Sequence, residues 1–446
     1  MALPPSLLRE LENPSLSVNS RAELRCEAAK ALEYKGEYEK AGKLLSDYWP
    51  RVGERPKLGG LDQSTAAEVL LRVGVLTGWI SSRSQIADTQ ETAKNLISES
   101  LTIFQSNNYR KKIAEAQTEL ALCYWRTGHL NEARDVLNEA LSLLTTHGDV
   151  KAKAVVRLAI VECEAASYAK ALRLLTTTAP DFQRINNETL KGAYHQILGT
   201  VLRHLWEAKK REDYIDRALI EYAAASYHFE RAEHRCYLAN VENQLGLIYF
   251  CINRCEDAHQ HLNRSRRILT SLKDFGTVAQ IDETRARVFL KQGRLAEAER
   301  TARAAAQRQE KTGRHLLLAE ALITHGRALA RLQRYSEALS AFRRAFVLAE
   351  HIGITSRSAD ATLAAFRELR EYLTVTVEAR LPDRDERMAL EHDAIKSALE
   401  ESEGSVTYAA RRLGISVQAL TYMLNTRHKD LFKYRTPVRH RRPRKQ

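Results

Sequence analysis

Four side chains in one nine-residue stretch have the chemistry to read a nucleic-acid base edge. In VQALTYMLN, Gln418, Thr421, Tyr422 and Asn425 are spaced by three, one and three residues. Helical periodicity puts such positions on one face. Gln and Asn each can pair bidentately with adenine, and a Thr methyl can touch the thymine methyl. Val417 and Ser416 stand at the head of the same stretch, which holds no Lys or Arg. Direct readout of guanine is therefore not expected, and preference should lean on A·T pairs. Thr407, Arg411 and Arg412 precede the stretch, and Arg427 and Lys429 follow it. Arg411, Arg412, Arg427, Lys429 and the basic tail beyond them are the expected phosphate contacts, and Thr407 is a further expected DNA-binding residue. From Gly404 to Gln446 there are eleven Lys/Arg and a single acid, Asp430, giving +10, while residues 1–403 hold 58 Lys/Arg against 55 Asp/Glu, or +3. A basic end of this kind is the electrostatic footprint of a polyanion partner. Charge alone would equally suit a solvated tail, so the elements that position these side chains must decide.

Three helices are expected around them. The first runs from about Asp383 to Ser402, with Met388, Ala394, Ile395 and Leu399 on one face and Gly404 beyond its end. The second starts near Ser405 or Thr407, either of which can cap it, and stops at Gly414. The third follows Ser416 and ends near Asn425. Ala410 is the small residue where two crossing helices touch, and Gly414 makes the turn. Ala409, Leu413, Ile415, Leu420 and Met423 fill buried positions. A small residue is needed because helices crossing at roughly 90–120° leave little room between them. The segment resembles the Fis-type helix-turn-helix at the C-terminus of Fis and of bacterial enhancer-binding activators. The matching residues are Ala398-Leu399, Gly404, Ala409-Ala410, Leu413-Gly414 and Leu420, over roughly 390–425. The resemblance implies binding to double-stranded DNA as a homodimer, with the last helix in the major groove. Family recognition helices often carry several Arg or Lys, and here Val417–Asn425 carries none.

The body that precedes this segment is repetitive. A small residue is followed three residues on by a large one, then a turn, a Tyr or Leu, and an Ala three residues later. The pattern falls on Ala121, Tyr124, Gly128, Leu130 and Ala133, on Ala286, Phe289, Gly293, Leu295 and Ala298, and on Gly326, Leu329, Gln333, Tyr335 and Ala338. Small residues let antiparallel helices approach, and the turn permits a left-handed cap. The pattern resembles the tetratricopeptide repeat over roughly residues 20–350. The second-helix alanines are Ala41, Ala93, Ala133, Ala171, Ala218, Ala258, Ala298 and Ala338. Most gaps are near forty, and the widest precede Ala93 and Ala218, where loops such as Glu207–Asp213 are expected as insertions. Ser358–Arg380 reads as a capping helix ending before Pro382. The expected fold is all-α: a tetratricopeptide-like α-solenoid over 1–380, then a small helix-turn-helix domain with a basic tail over 383–446.

Such an array commonly binds a protein or peptide along its concave face. Asn243, Arg287, Lys291, Arg327 and Arg331 are the expected groove residues. Arg287 and Lys291 are four apart, as are Arg327 and Arg331, so each pair shares a helix face; such a face suits a partner's carboxylates and equally suits a plain solvated surface.

Neither a phosphate-cradling GxxxxGK[ST] nor GxGxxG, HExxH or GxSxG occurs, and no catalytic residue, metal ligand or cofactor is expected. Cys251, Cys255, His259 and His261 form a metal-like cluster by composition, but repeat packing accounts for them better. Six sparse cysteines suit a reducing cytoplasm, and the most apolar window, Val69–Ile80, is too short to span a bilayer. The leading expectation is a sequence-specific transcriptional regulator. The runner-up is a non-enzymatic interaction scaffold whose basic end binds RNA or another polyanion.

Overall fold

The computed structural model describes residues 13, 15–84, 89–312, 315–351 and 384–435. Nineteen α-helices and one short 3₁₀ helix are found among them, and no strand. The chain divides into two compact units, Met1–Ile248 and Tyr249–Gln446.

Sixteen helices alternate along the chain as first and second members of eight hairpins. In the first unit these are α1 (Val18–Glu33) and α2 (Tyr38–Leu44), α3 (Gln63–Ser84) and α4 (Thr89–Ser106), and α5 (Arg110–Arg126) and α6 (Leu130–Leu143). Then come α7 (Asp149–Glu164) and α8 (Tyr168–Arg184), α9 (Glu188–Lys209) and α10 (Glu212–Arg231). Helix α11 (Arg235–Cys251) spans the division, and α12 (Cys255–Ser271), α13 (Phe275–Lys291), α14 (Leu295–Thr312), α15 (His315–Arg331) and α16 (Tyr335–His351) follow.

The eight second-helix alanines are each 0% exposed, as expected where a small side chain lets helices approach closely. Facing glycines do the same work from the first helix. A Cβ at Gly326 would lie 2.4 Å from the Phe342 ring, and one at Gly192 would lie 2.7 Å from Phe229. The large ring fills the space that the missing side chain leaves. The turn between paired helices needs one left-handed residue, and Gly128 and Gly293 supply it at φ +82° and +74°. The hairpin of Ala171 lacks a turn glycine, and Ala166 takes the left-handed conformation there at φ +54°.

Glu207–Asp213 is not an inserted loop. Helix α9 continues to Lys209, Lys210 caps it in the left-handed region, and α10 begins at Glu212. Ala208 and Lys209 are good helix formers, so the extra length before Ala218 is taken up as helix. Before Ala93, it is taken up by a 22-residue α3 and by a non-helical segment around the buried Trp49. The expected capping helix, Ser358–Arg380, lies outside the described residues.

A buried charge network threads the first unit. Arg72, 1% exposed, bridges Glu33 (2.7 Å) and Glu115 (2.6 Å), and Lys30 also reaches Glu115 (2.6 Å). Lys153 and Arg157 grip opposite oxygens of Glu119 at 2.9 and 2.7 Å. Neighbouring cations hold Glu115 down at about 2 and push Glu119 lower still, against the opposing effect of burial. Burial dominates at Glu33 and raises it.

Candidate nucleic-acid interface

Three helices and a 3₁₀ turn build the C-terminal site: α17 (Arg384–Glu401), α18 (Val406–Leu413), α19 (Val417–Thr426) and Lys429–Tyr434. Their shared core is Ile395, Ala398, Leu399, Ala409, Ala410, Leu420, Met423, Leu424 and Leu431. Leu413 and Ile415 pack against it half-buried. Ala410 is 1% exposed, which is the close crossing that its small side chain permits. Gly414 ends α18 in the left-handed region at φ +73°, turning the chain into α19.

Each cap is a serine. The Ser405 hydroxyl accepts from the Tyr408 N–H at 3.5 Å, and Ser416 accepts from Ala419 at 3.0 Å. Thr407 therefore does not cap α18. It sits in the first turn, exposed.

Helix α19 buries Leu420, Met423 and Leu424 and turns Gln418, Tyr422 and Asn425 outward. Tyr422 is 64% exposed and Val417 42%. Thr421 is half-buried, and its hydroxyl donates to the Val417 carbonyl at 2.7 Å. The hydroxyl is thus occupied, which leaves the methyl as its outward chemistry.

The cations divide into two kinds. Arg411 and Lys429 are exposed and make no ion pair among the described residues. Arg412 pairs with Glu401, and Arg427 lies 3.5 Å from Glu391. These two would have to exchange a carboxylate for a phosphate. The His392 ring meets Asp430 at 2.6 Å, and this contact raises the histidine and lowers the aspartate. It ties the 3₁₀ turn to α17.

The sequence pattern missed two features. Leu431 is 0% exposed within the core, so the chain beyond Arg427 is part of the domain as far as Tyr434. A lone leucine among HKDLFKY has no periodicity to reveal it. Tyr408, 63% exposed on α18, is a second outward aromatic whose exposure only the packing shows.

The repeat-face residues are found as follows. Asn243 is half-buried in the first unit. In the second unit, Arg287 and Lys291 lie over the Phe250 ring at 5.1 and 4.9 Å. Lys291 also donates to the Phe250 carbonyl (2.8 Å), and Arg331 donates to that of Leu290 (2.9 Å). The buried carboxyl of Glu283, bonded to the Thr324 hydroxyl at 2.6 Å, feels both Arg287 and Arg327. The cationic face thus carries an acid of its own. His259 is buried on Phe289 with its Nε2 2.9 Å from Gln292 Oε1, so it serves packing.

Family models match at three places. Two described as tetratricopeptide repeat cover residues 114–143 and 277–350, and one described as bacterial regulatory protein, Fis family, covers 387–425. The chain joins tetratricopeptide repeats to a Fis-type helix-turn-helix. Comparison with curated proteins returns no match. Among solved structures, a signal transduction ATPase with numerous domains, carrying a tetratricopeptide repeat sensor, from Pyrococcus horikoshii is similar. It has TM-score 0.53 and 14% identity, over 90% of this chain and 55% of that one. The apo quorum sensor NprR from B. thuringiensis has TM-score 0.52 and 11% identity, over 77% of this chain and 91% of that one. The apo form of RapI has TM-score 0.50 and 12% identity, over 82% and 96%. At these identities the likeness is one of fold. No described helix is long and apolar enough to cross a membrane.

Proposed function

We propose that this chain is a sequence-specific, DNA-binding transcriptional regulator whose repeat body docks a regulatory partner. The observation that carries the reading is the outward face of α19. Gln418, Tyr422 and Asn425 project from a packed three-helix core, beside Arg411 and Lys429, which make no ion pair among the described residues. Cations without internal partners are available to phosphates at no cost in broken ion pairs, and polar side chains on a rigid helix suit a major groove. Thr407, Arg412, Ser416, Val417, Thr421 and Arg427 complete the proposed surface. A single such unit offers little contact area, so a homodimer on two half-sites is part of the proposal. For the body, Arg287, Lys291, Arg327 and Arg331 are proposed to receive an acidic protein or peptide segment, with Asn243 as a further contact. Two similarly folded proteins are described as a quorum sensor and as bearing a repeat sensor, which supports an input role.

The test is selection of duplexes from a random pool by the full-length protein, followed by anisotropy titration of the enriched sequence against shuffled duplex, single strand and RNA. An enriched A·T-containing motif bound in preference to all three is expected. Equal binding to RNA and to shuffled duplex would replace this reading with that of a polyanion-binding scaffold. For the body, charge reversal at Arg287 and Arg327 should abolish capture of the acidic partner. Unchanged capture would remove the groove from the proposal.

A further inference from the structure

The first unit holds a cavity that neither the DNA surface nor the cationic repeat face explains. Its volume is about 340 Å³, and its walls include Tyr38, Trp79, Trp125, Tyr237, Arg126 and Arg157. It is closed by contacts far apart in sequence. The Thr189 hydroxyl donates to the Tyr34 carbonyl, and a Cβ at Gly36 would lie 2.7 Å from the His234 ring. Tyr38 and Trp79 stack at 5.0 Å with planes 6° apart, which gives the cavity a flat aromatic wall.

The charges around this cavity do not balance. Glu33 and Glu115 are held by Arg72 and Lys30, Glu119 by Lys153 and Arg157, and Glu68 by Lys112. Of the cations that line the cavity, Lys153 and Arg157 share Glu119, and Arg126 has no carboxylate partner among the described residues. Arg126 lies 4.4 Å over the Trp79 ring and makes neither a hydrogen bond nor an ion pair among the described residues. Burial and the nearby Arg157 both lower its proton affinity. The space it occupies is provided by Gly78, where a Cβ would come within 2.9 Å of Arg126 Nη1. A half-buried guanidinium without an anion, facing an aromatic cleft, is costly unless something supplies the charge.

We propose that this cavity binds a small aromatic monocarboxylate, its ring against the Trp79–Trp125 walls and its carboxylate on Arg126. Lys153 and Arg157 already share Glu119, so Arg126 is the cation left to meet a ligand carboxylate. The volume lies at the lower end of small-ligand sites and suits one ring with its acid. The site is separate from the DNA-binding reading, because its test uses no DNA.

Calorimetric titration of the full-length protein with phenylacetate, with the uncharged phenylacetamide and with a short peptide ending in phenylalanine tests the assignment. Phenylacetate should bind about 10–100-fold more tightly than the amide, as expected for a charge-assisted hydrogen bond. Arg126→Gln should bring the two ligands to equal, weak affinity. Trp125→Leu should weaken both. Because Arg126 makes no ion pair among the described residues and loses only its contact over Trp79, Arg126→Gln should retain a melting temperature close to that of the wild type. Should it unfold, Gly78→Ser, which crowds the guanidinium from behind, must selectively weaken phenylacetate in its place. Equal binding of acid and amide by the wild type, or acid binding unaltered in Arg126→Gln, overturns the proposal. Tighter binding of the peptide than of phenylacetate overturns the assignment to a free acid.

Discussion

Gln418 stands at the second position of α19, exposed, and in the proposed reading it would enter the major groove without moving the helix that carries it. Its removal should cost discrimination rather than attachment. We expect Gln418→Ala to lose about 1–3 kcal/mol of preference for the selected duplex over a base-substituted one, the range of one bidentate pair. The slope of log affinity against log salt should stay unchanged, since no phosphate contact is lost. An anisotropy salt titration on both duplexes checks this. A flattened slope would make Gln418 a backbone contact instead. At the same scale, Gly326 tests the packing. Alanine there gains about 1 kcal/mol of helix propensity but meets Phe342 at 2.4 Å, and overpacking of this kind costs about 1–3 kcal/mol. The clash should win, so Gly326→Ala lowers stability in a denaturant melt. Phe342→Leu in the same chain should recover part of the loss, because the smaller side chain vacates the contact.

At the scale of elements, the 3₁₀ turn Lys429–Tyr434 separates the domain from its tail. Leu431 is part of the core, so ending the chain at Arg427 would damage the fold and confuse affinity with stability. Ending it after Arg435 removes Arg439, Arg441, Arg442, Arg444 and Lys445 and leaves the core whole. We expect that truncation to keep the helical circular-dichroism melt and to weaken all duplexes alike. The salt slope should fall by up to about 0.9 for each lost phosphate contact. Leu431→Asp should instead abolish binding through unfolding. An unaltered slope after truncation would exclude the tail as an anchor. What was legible in the sequence follows the same division. The eight alanines, the Ala410–Gly414 spacing and the order of the last three helices are local signals, with one residue type needed at one spacing, and all were readable. Leu431 was not, because a single apolar residue has no period. The extension of α9 through Lys209 was not either, because EAKKRED is polar enough to pass for a loop while Ala and Lys favour helix. The aromatic cavity was invisible for a deeper reason. Tyr34 and Thr189 meet across 155 positions, and no local pattern encodes that closure.

On the scale of the whole molecule, charge sets both how the body responds to acid and how the protein sits on DNA. Glu115 and Glu119 carry folded-state values below the ordinary carboxylate range. Their contribution to stability is present above about pH 4.3, the unfolded value, and is lost as pH falls toward the folded one, about 2 for Glu115. Glu33, raised by burial, works in the opposite direction and offsets part of this. The net expectation is a melting temperature that drops between about pH 4.5 and pH 2. Glu115→Gln should be less stable at neutral pH by about 3–5 kcal/mol, since Arg72 and Lys30 lose a shared partner, and its melt should depend less on pH in the acid range. The C-terminal domain raises a different question, that of valency. The outward face of α19 spans few residues, and its readout is polar with no arginine. One copy therefore offers one or two specific pairs at about 1–3 kcal/mol each, which reaches at most the lower part of the roughly 4–10 kcal/mol that separates specific from non-specific binding. Two copies on one duplex, as proposed, would cover the whole range. The half-sites should then lie about 34–36 Å apart, one helical turn, so that both recognition helices enter the same side of the DNA. Inserting about five base pairs between half-sites would turn one of them to the opposite side and should reduce affinity to that of a single half-site, whereas inserting about ten should restore much of it. Anisotropy on the three duplexes, with sedimentation to count protein per DNA, decides the matter. Equal affinity for all three, with one protein bound, would mean that the chain reads DNA as a monomer and takes its remaining specificity from elsewhere.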